Sequence, residues 1–204
     1  KEKASSELII TIDRLLKENT LKISDVGCLI VNQGPAPFTT LRTIITTANG
    51  IAFATGISLI GIDALRAFAH ACARELDAPI VVMLNAFNKS VYYGIRQFSD
   101  NQMLTGCMPI KEFIPMAMAC FKNGQKFHVF GNGAALYMSE LKSAFADQIV
   151  LTQPLKLVPS IMDIVEYAAL GEEPTVYPSK DIEPLYLKKS IKATLIFSTT
   201  PTTT

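Results

Sequence analysis

The side chains that could do chemistry are few. His70 and His128 are the only histidines, and neither has a metal-ligating neighbour three or four positions on, where a helical zinc or general-base pair would need one. Both lie in apolar segments and read as structural histidines. The four cysteines, Cys28, Cys72, Cys107 and Cys120, have neither metal-ligand nor redox spacing and read as buried thiols in a reducing compartment. No HExxH, GxSxG or paired-glycine phosphate loop occurs. Asp63 reads as a helix cap, and Asp147, Asp163 and Glu166 read as ordinary surface acids. The sequence therefore predicts no catalytic residue, no metal site and no cofactor.

One stretch does suggest a binding function. Val31-Asn32-Gln33-Gly34-Pro35-Ala36-Pro37-Phe38-Thr39-Thr40-Leu41-Arg42 follows a short apolar run and opens a helical pattern reaching about Thr55. A strand, a tight turn and a helix N-terminus often hold anions, because free N–H groups and the helix dipole point into the loop. Phosphate loops use glycines where the backbone must approach the ligand. Here a single glycine stands with two prolines, which have no N–H to offer. The loop, with Gly34, Pro35, Phe38 and Thr39 as its structural residues, is built for shape.

Local patterns place the elements around it. Ser5 or Ser6 can cap a helix on which Leu8, Ile9, Ile12, Leu15 and Leu16 share one arc, with Asn19 as its stop. A strand is predicted over 26–31 and a helix to about 55 with Leu41, Ile44, Ile45, Ala48, Ile51 and Ala52 inward. A strand over 57–62 and a helix from Asp63 to about 76 complete a first unit. From Pro79 the predicted order is strands over 80–84, 90–98 and 103–108, then a helix over 110–121 broken or kinked near Pro115. Strand 126–130, a Gly131-Asn132-Gly133 turn, helix 135–145, strand 148–152 and a helix from Ser160 to about 170 follow, with turns at Asn88-Lys89 and Asp100-Asn101. The remainder is Pro-rich and irregular.

Composition narrows the function. With 49% hydrophobic and 18% charged residues, the 204-residue chain is globular and long enough for a proper core. A net charge of +1 without a Lys/Arg cluster argues against unaided RNA binding, so any RNA contact is expected to be shared with a partner. Residues 43–62 carry no charge over about the length of a bilayer span. Asn49, Gly50, Gly56, Ser58 and Gly61 interrupt them, and helix–turn–strand fits better than a membrane span. With no signal peptide visible, a cytoplasmic protein is expected.

The two halves share a pattern. The second half reads three strands, helix, strand, helix, strand, helix; the first reads helix, strand, helix, strand, helix. This implies an α/β protein with duplicated ribonuclease-H-like lobes of the actin superfamily, the first lacking its opening meander. The expected division is a first lobe over 1–78, a second over 79–190 and a flexible tail over 191–204.

On these residues the chain resembles the TsaB (YeaZ) family. Residues 34–42 resemble its GPGSFTGLR segment, and Ser6-Glu7-Leu8 its HSE-type helix start. Residues 56–64 are similar to its strand and turn after the second helix. Asn85-Ala86-Phe87 stands where the family often has Asp-Ala-Arg, with Val91-Tyr92 following. Gly131-Asn132-Gly133 and Pro184-Leu185-Tyr186-Leu187-Lys188 resemble its glycine turn and C-terminal PxYLR segment. Ala36, Pro37 and Thr40 replace Gly, Ser and Gly, and Asn85 and Phe87 replace an acid and a base, which removes flexible and ionic positions.

The resemblance implies a non-catalytic subunit in the making of threonylcarbamoyladenosine in tRNA. Its partners would be a TsaD-like transferase and a TsaE-like ATPase, with tRNA met only through the complex. It also implies pairing through the first two helices, at Leu8, Ile9, Ile12 and Leu16 on one and Arg42, Ile45, Thr46, Asn49 and Phe53 on the other. The residues agree in part: Arg42, Thr46, Asn49 and Phe53 fall at i, i+4, i+7 and i+11 beside the core stripe, and an arginine and a phenylalanine on one line are typical of interfaces. The same surface can carry a homodimer when the chain is alone. The alternative is a nucleotide-binding kinase or ATPase of the actin-like superfamily; a peptidase has no nucleophile–base pair to rest on.

Overall fold

The computed structural model describes residues 7–74, 76, 78–97, 103–121, 124–171 and 178–187. Ser5 and Ser6, the Asp100-Asn101 turn, Lys188 and the expected tail lie outside them.

Helix α1 (Leu8–Glu18) is followed by strand β1 (Cys28–Gly34), helix α2 (Phe38–Thr55), strand β2 (Ser58–Asp63) and helix α3 (Ala64–Ala73). Strands β3 (Ile80–Asn85), β4 (Ser90–Arg96) and β5 (Met103–Pro109) lead into helix α4 (Ile110–Cys120). Strand β6 (Phe127–Phe130), helices α5 (Asn132–Leu136) and α6 (Met138–Phe145), strand β7 (Ile149–Val150) and helix α7 (Ile161–Leu170) complete the order.

Two sheets result. The larger runs β5-β4-β3-β6-β7, an antiparallel meander followed by two strands parallel to β3. The smaller pairs β1 with β2 in parallel. Laid over each other, β1–α2–β2–α3 repeats β6–α5/α6–β7–α7, and α1 stands where α4 stands. This is the duplicated ribonuclease-H-like architecture expected from the sequence.

Alternation along β3 shows how the larger sheet is covered on both faces. Ile80, Val82 and Leu84 pack with Leu65, Phe68, Ala69 and Cys72 of α3. Val81 and Met83 turn to the opposite cluster, with Phe113 and Ala117 of α4 and Leu141 and Phe145 of α6. On the smaller sheet Val31 and Leu59 pack with Leu41, Ile45, Ala48 and Ala52 of α2. Its other face meets Ile164 and Ala168 of α7. Helix α3 thus packs on both sheets, Phe68 and Cys72 against the second and Ala64 and Ala67 against the first, while α7 crosses to close the first.

The structure corrects several details. Helix α4 runs without a break through Pro115, which is exposed, so the one missing N–H bond is lost on the wet side. The single helix expected over 135–145 is two, meeting at Tyr137. The strand expected over 148–152 has only two paired residues, because β7 is an edge pairing with β6 alone. Asp163 is no surface acid. It is 8% exposed, closing a capping box with Ser160 at the start of α7 and accepting from Lys156 Nζ at 2.7 Å.

Candidate partner interface

The loop before α2 is held by its own side chains. Asn32 Oδ1 accepts the Gly34 N–H at 2.8 Å, and Pro35 and Pro37 have no N–H, which fits a loop shaped for position. Phe38, exposed at the first position of α2, stacks on Tyr186 with centroids 5.5 Å apart. Arg42 lies over the Phe38 ring at 4.1 Å and donates from Nε to the Tyr186 hydroxyl at 3.0 Å. The carbonyl of Thr39 accepts from Thr43 Oγ1 at 3.0 Å.

Not all nine residues expected on the partner surface lie on it. Ile45 is 3% exposed inside the cluster between α2 and the smaller sheet, which removes it from any partner surface. Asn49 is half-buried and spends its amide on residue 182: Nδ2 donates to the Ile182 carbonyl at 3.0 Å and Oδ1 accepts its N–H at 3.1 Å. Arg42 is exposed but engaged as above. Thr46 and Phe53 are exposed, Phe53 by 94%.

Helix α1 is different. It carries no buried residue, although it is strongly amphipathic in sequence. Leu8, Ile12 and Leu16 are half-buried, and Ile9 is 64% exposed. Between α1 and α2 lie two adjoining grooves. One of about 190 Å³ is lined by Leu8, Ile12, Leu29, Ile30, Ile44 and Ile51 among others. The other, of about 470 Å³, is lined by Ile9, Ile12, Asp13, Leu16, Ile23, Thr47, Gly50, Ile51, Ala54 and Thr55. The apolar surface therefore follows the Thr47, Ile51, Ala54 line of α2. That line, at i, i+4 and i+7, was legible as a helical face, but Ile51 reads equally well as core. The far side of α2, with Arg42 and Asn49, is occupied by residues 178–187 of the same chain.

Among the described residues, the titratable groups with shifted values or ring contacts are spread over several elements, α3, β6 and α7 among them. Burial pushes the Cys72 thiol up to about 12, so it is a protonated core side chain rather than a nucleophile. His128 is held below its ordinary value by burial, with Nδ1 3.0 Å from Thr152 Oγ1. His70 lies beside Tyr167, ring centroids 5.6 Å apart, between α3 and α7. Arg74 and Glu166 pair across the same two helices. Burial alone would raise the Asp163 carboxyl, but bonds from Lys156 and from the backbone and hydroxyl of Ser160 outweigh it and hold it low. Among the described residues, no three His, Cys, Asp or Glu side chains come together as a metal site. No described helix is long and apolar enough to cross a membrane. At the turn after β6, Asn132 Oδ1 accepts the Asn85 N–H at 2.8 Å, and the N–H groups of Gly131 and Asn132 are taken by the carbonyls of Lys156 and Leu157.

The fold and this unpaired helix face define a two-lobed protein of the actin-like, ribonuclease-H-like class. Comparison with known families takes the identification one step further. The family model described as TsaD: tRNA N6-adenosine threonylcarbamoyltransferase matches residues 1–169, and the chain belongs to that family. Its fold is that of YeaZ, as expected from the residues. A crystal structure from Pseudomonas aeruginosa, of an uncharacterised protein with similarity to peptidase YEAZ, matches with TM-score 0.64 and 21% identity, covering 90% of this chain and 83% of that one. YeaZ from Pseudomonas aeruginosa matches with TM-score 0.58 and 21% identity, covering 82% and 77%.

Proposed function

We propose that this chain is a non-catalytic subunit of the complex that makes threonylcarbamoyladenosine in tRNA, binding and ordering a TsaD-like transferase through the α1/α2 face. The observation that carries this reading is α1, whose apolar arc holds no fully buried residue and borders a groove of about 470 Å³. Covering such a face with a second helix pair removes apolar surface from water. A TsaE-like ATPase joins the same assembly, tRNA is met through the complex, and a second copy can take the same face when the transferase is absent.

The test is co-purification with the TsaD-like partner. Ile9→Asp and Ala54→Asp place charges at exposed positions that line the groove from its two helices, where folding tolerates them, whereas Phe53 is exposed on the Arg42–Asn49 line and borders neither groove. Together the two substitutions are expected to weaken binding by about thirtyfold or more, as loss of a hot spot does, with the thermal midpoint unchanged. Ile45→Asp is unsuitable, since it would unfold the lobe and imitate a lost interface. Unchanged binding and unchanged tRNA modification in the double variant would remove the reading.

A second reading is favoured by the matched family's description as a transferase: the chain itself binds nucleotide and turns over. Calorimetric titration with ATP and Mg²⁺ separates the two. A dissociation constant below about 10 μM (roughly −7 kcal/mol) with turnover supports the enzyme; no heat and no turnover supports the subunit.

A further inference from the structure

Residues 178–187 lie extended across the first lobe, and the way they are held is that of a bound peptide. Ser179 and Leu59 exchange N–H···O bonds in both directions at 2.8 Å, adding one antiparallel bridge to the β2 edge. Asn49 clasps the backbone of Ile182 on both sides, at 3.0 and 3.1 Å. Gln33 Nε2 donates to the Glu183 carbonyl at 2.9 Å, and the Leu185 N–H donates to the Gln33 carbonyl at 2.7 Å. One side chain, Ile182, enters the core, 8% exposed among Val31, Leu41, Ala48 and Leu59.

The seat is shaped to receive this segment. A Cβ at Gly34 would stand 2.8 Å from the Leu185 carbonyl oxygen, and one at Gly61 would strike the Gln33 amide that reads the segment's backbone. Two amide side chains reading main chain, one pocket for one side chain and a sheet edge are the elements of strand-addition recognition, in which backbone bonds give affinity and a pocket gives specificity. The other anchors are half exposed: Tyr186, which stacks on Phe38, is 48% exposed.

We infer that Gln33, Asn49 and the β2 edge form a binding site for an extended peptide, filled in cis by residues 178–187, which dock and undock as a unit while both lobes stay folded. This site lies on the side of α2 opposite the proposed partner groove and owes nothing to the chain's role in tRNA modification, since it is tested on the chain alone.

Hydrogen exchange of the full chain reads it directly. The Leu59 amide, which donates to Ser179, reports the docked segment, and the Val82 amide reports the core of the larger sheet. In the wild type at low urea, Leu59 is expected to exchange by a local opening with a shallower urea dependence than Val82. Ile182→Asp is expected to speed Leu59 exchange by more than about tenfold while leaving Val82 unchanged, and an excess of a synthetic peptide of residues 178–187 is expected to restore protection at Leu59. Identical urea dependences for the two amides in the wild type would overturn the inference, because the segment would then leave only with global unfolding. Unchanged Leu59 protection in Ile182→Asp would overturn it too, because the pocket would not hold the segment. So would a failure of the peptide to restore protection.

Discussion

Asp163 shows how much a single residue's meaning depends on its neighbours. In the sequence it is one acid near the start of a helix; in the structure it is buried, bonded to the backbone N–H and hydroxyl of Ser160 and to Lys156. Its folded pKa lies below the ordinary 3.8, so the unfolded chain binds the proton more readily. The stability this contributes is complete above pH 3.8 and is lost as the pH falls through the lower folded value. Asp163→Asn is expected to cost about 1–2 kcal/mol at neutral pH, the worth of a cap with a charge-assisted bond. Urea denaturation at pH 7 and pH 3 checks this, since the gap between wild type and variant should narrow at the lower pH. His128 acts in the same direction. Its folded pKa is lowered from 6.5 by burial, so its contribution is present above 6.5 and lost in acid.

At the scale of elements, α2 bears three functions on three faces. One face carries Leu41, Ile45, Ala48 and Ala52 into the core, a second borders the groove with α1 through Thr47 and Ile51, and a third receives residues 178–187 through Asn49. Its sequence shows an apolar stripe with polar flanks, and no periodicity separates a flank covered in cis from one left for a partner. Caps are more legible because they act locally. Asp63 was readable as the start of α3, and its carboxylate accepts the N–H groups of Leu65 at 2.8 Å and Arg66 at 3.4 Å. Asp63→Ala is expected to lower the unfolding free energy by about 1 kcal/mol in a denaturant titration, without changing the α1/α2 face.

For the whole molecule, the packing of α3 on both sheets and of α7 on the first means that neither lobe has a complete core without the other. Phe68 sits on α3, fully buried against Ile80, Val82 and Phe130 of the second sheet. Phe68→Ala is expected to cost about 3–5 kcal/mol, and probes in the two lobes should still report one coincident transition. Two separated transitions would show that the lobes fold as independent units.

The order of elements and the Asp63 start of α3 were determined by the sequence, because each rests on contacts between residues a few positions apart. Only the tertiary structure decided that Ile45 is core rather than partner surface and that Ile51 borders a groove, that Asp163 is a buried partner of Lys156, that α3 packs on both sheets while α7 crosses to the first, and that residues 178–187 occupy the outer side of α2. Each of these joins parts of the molecule by packing: residue 49 meets residue 182, and the choice among faces of one helix is made by what lies against it.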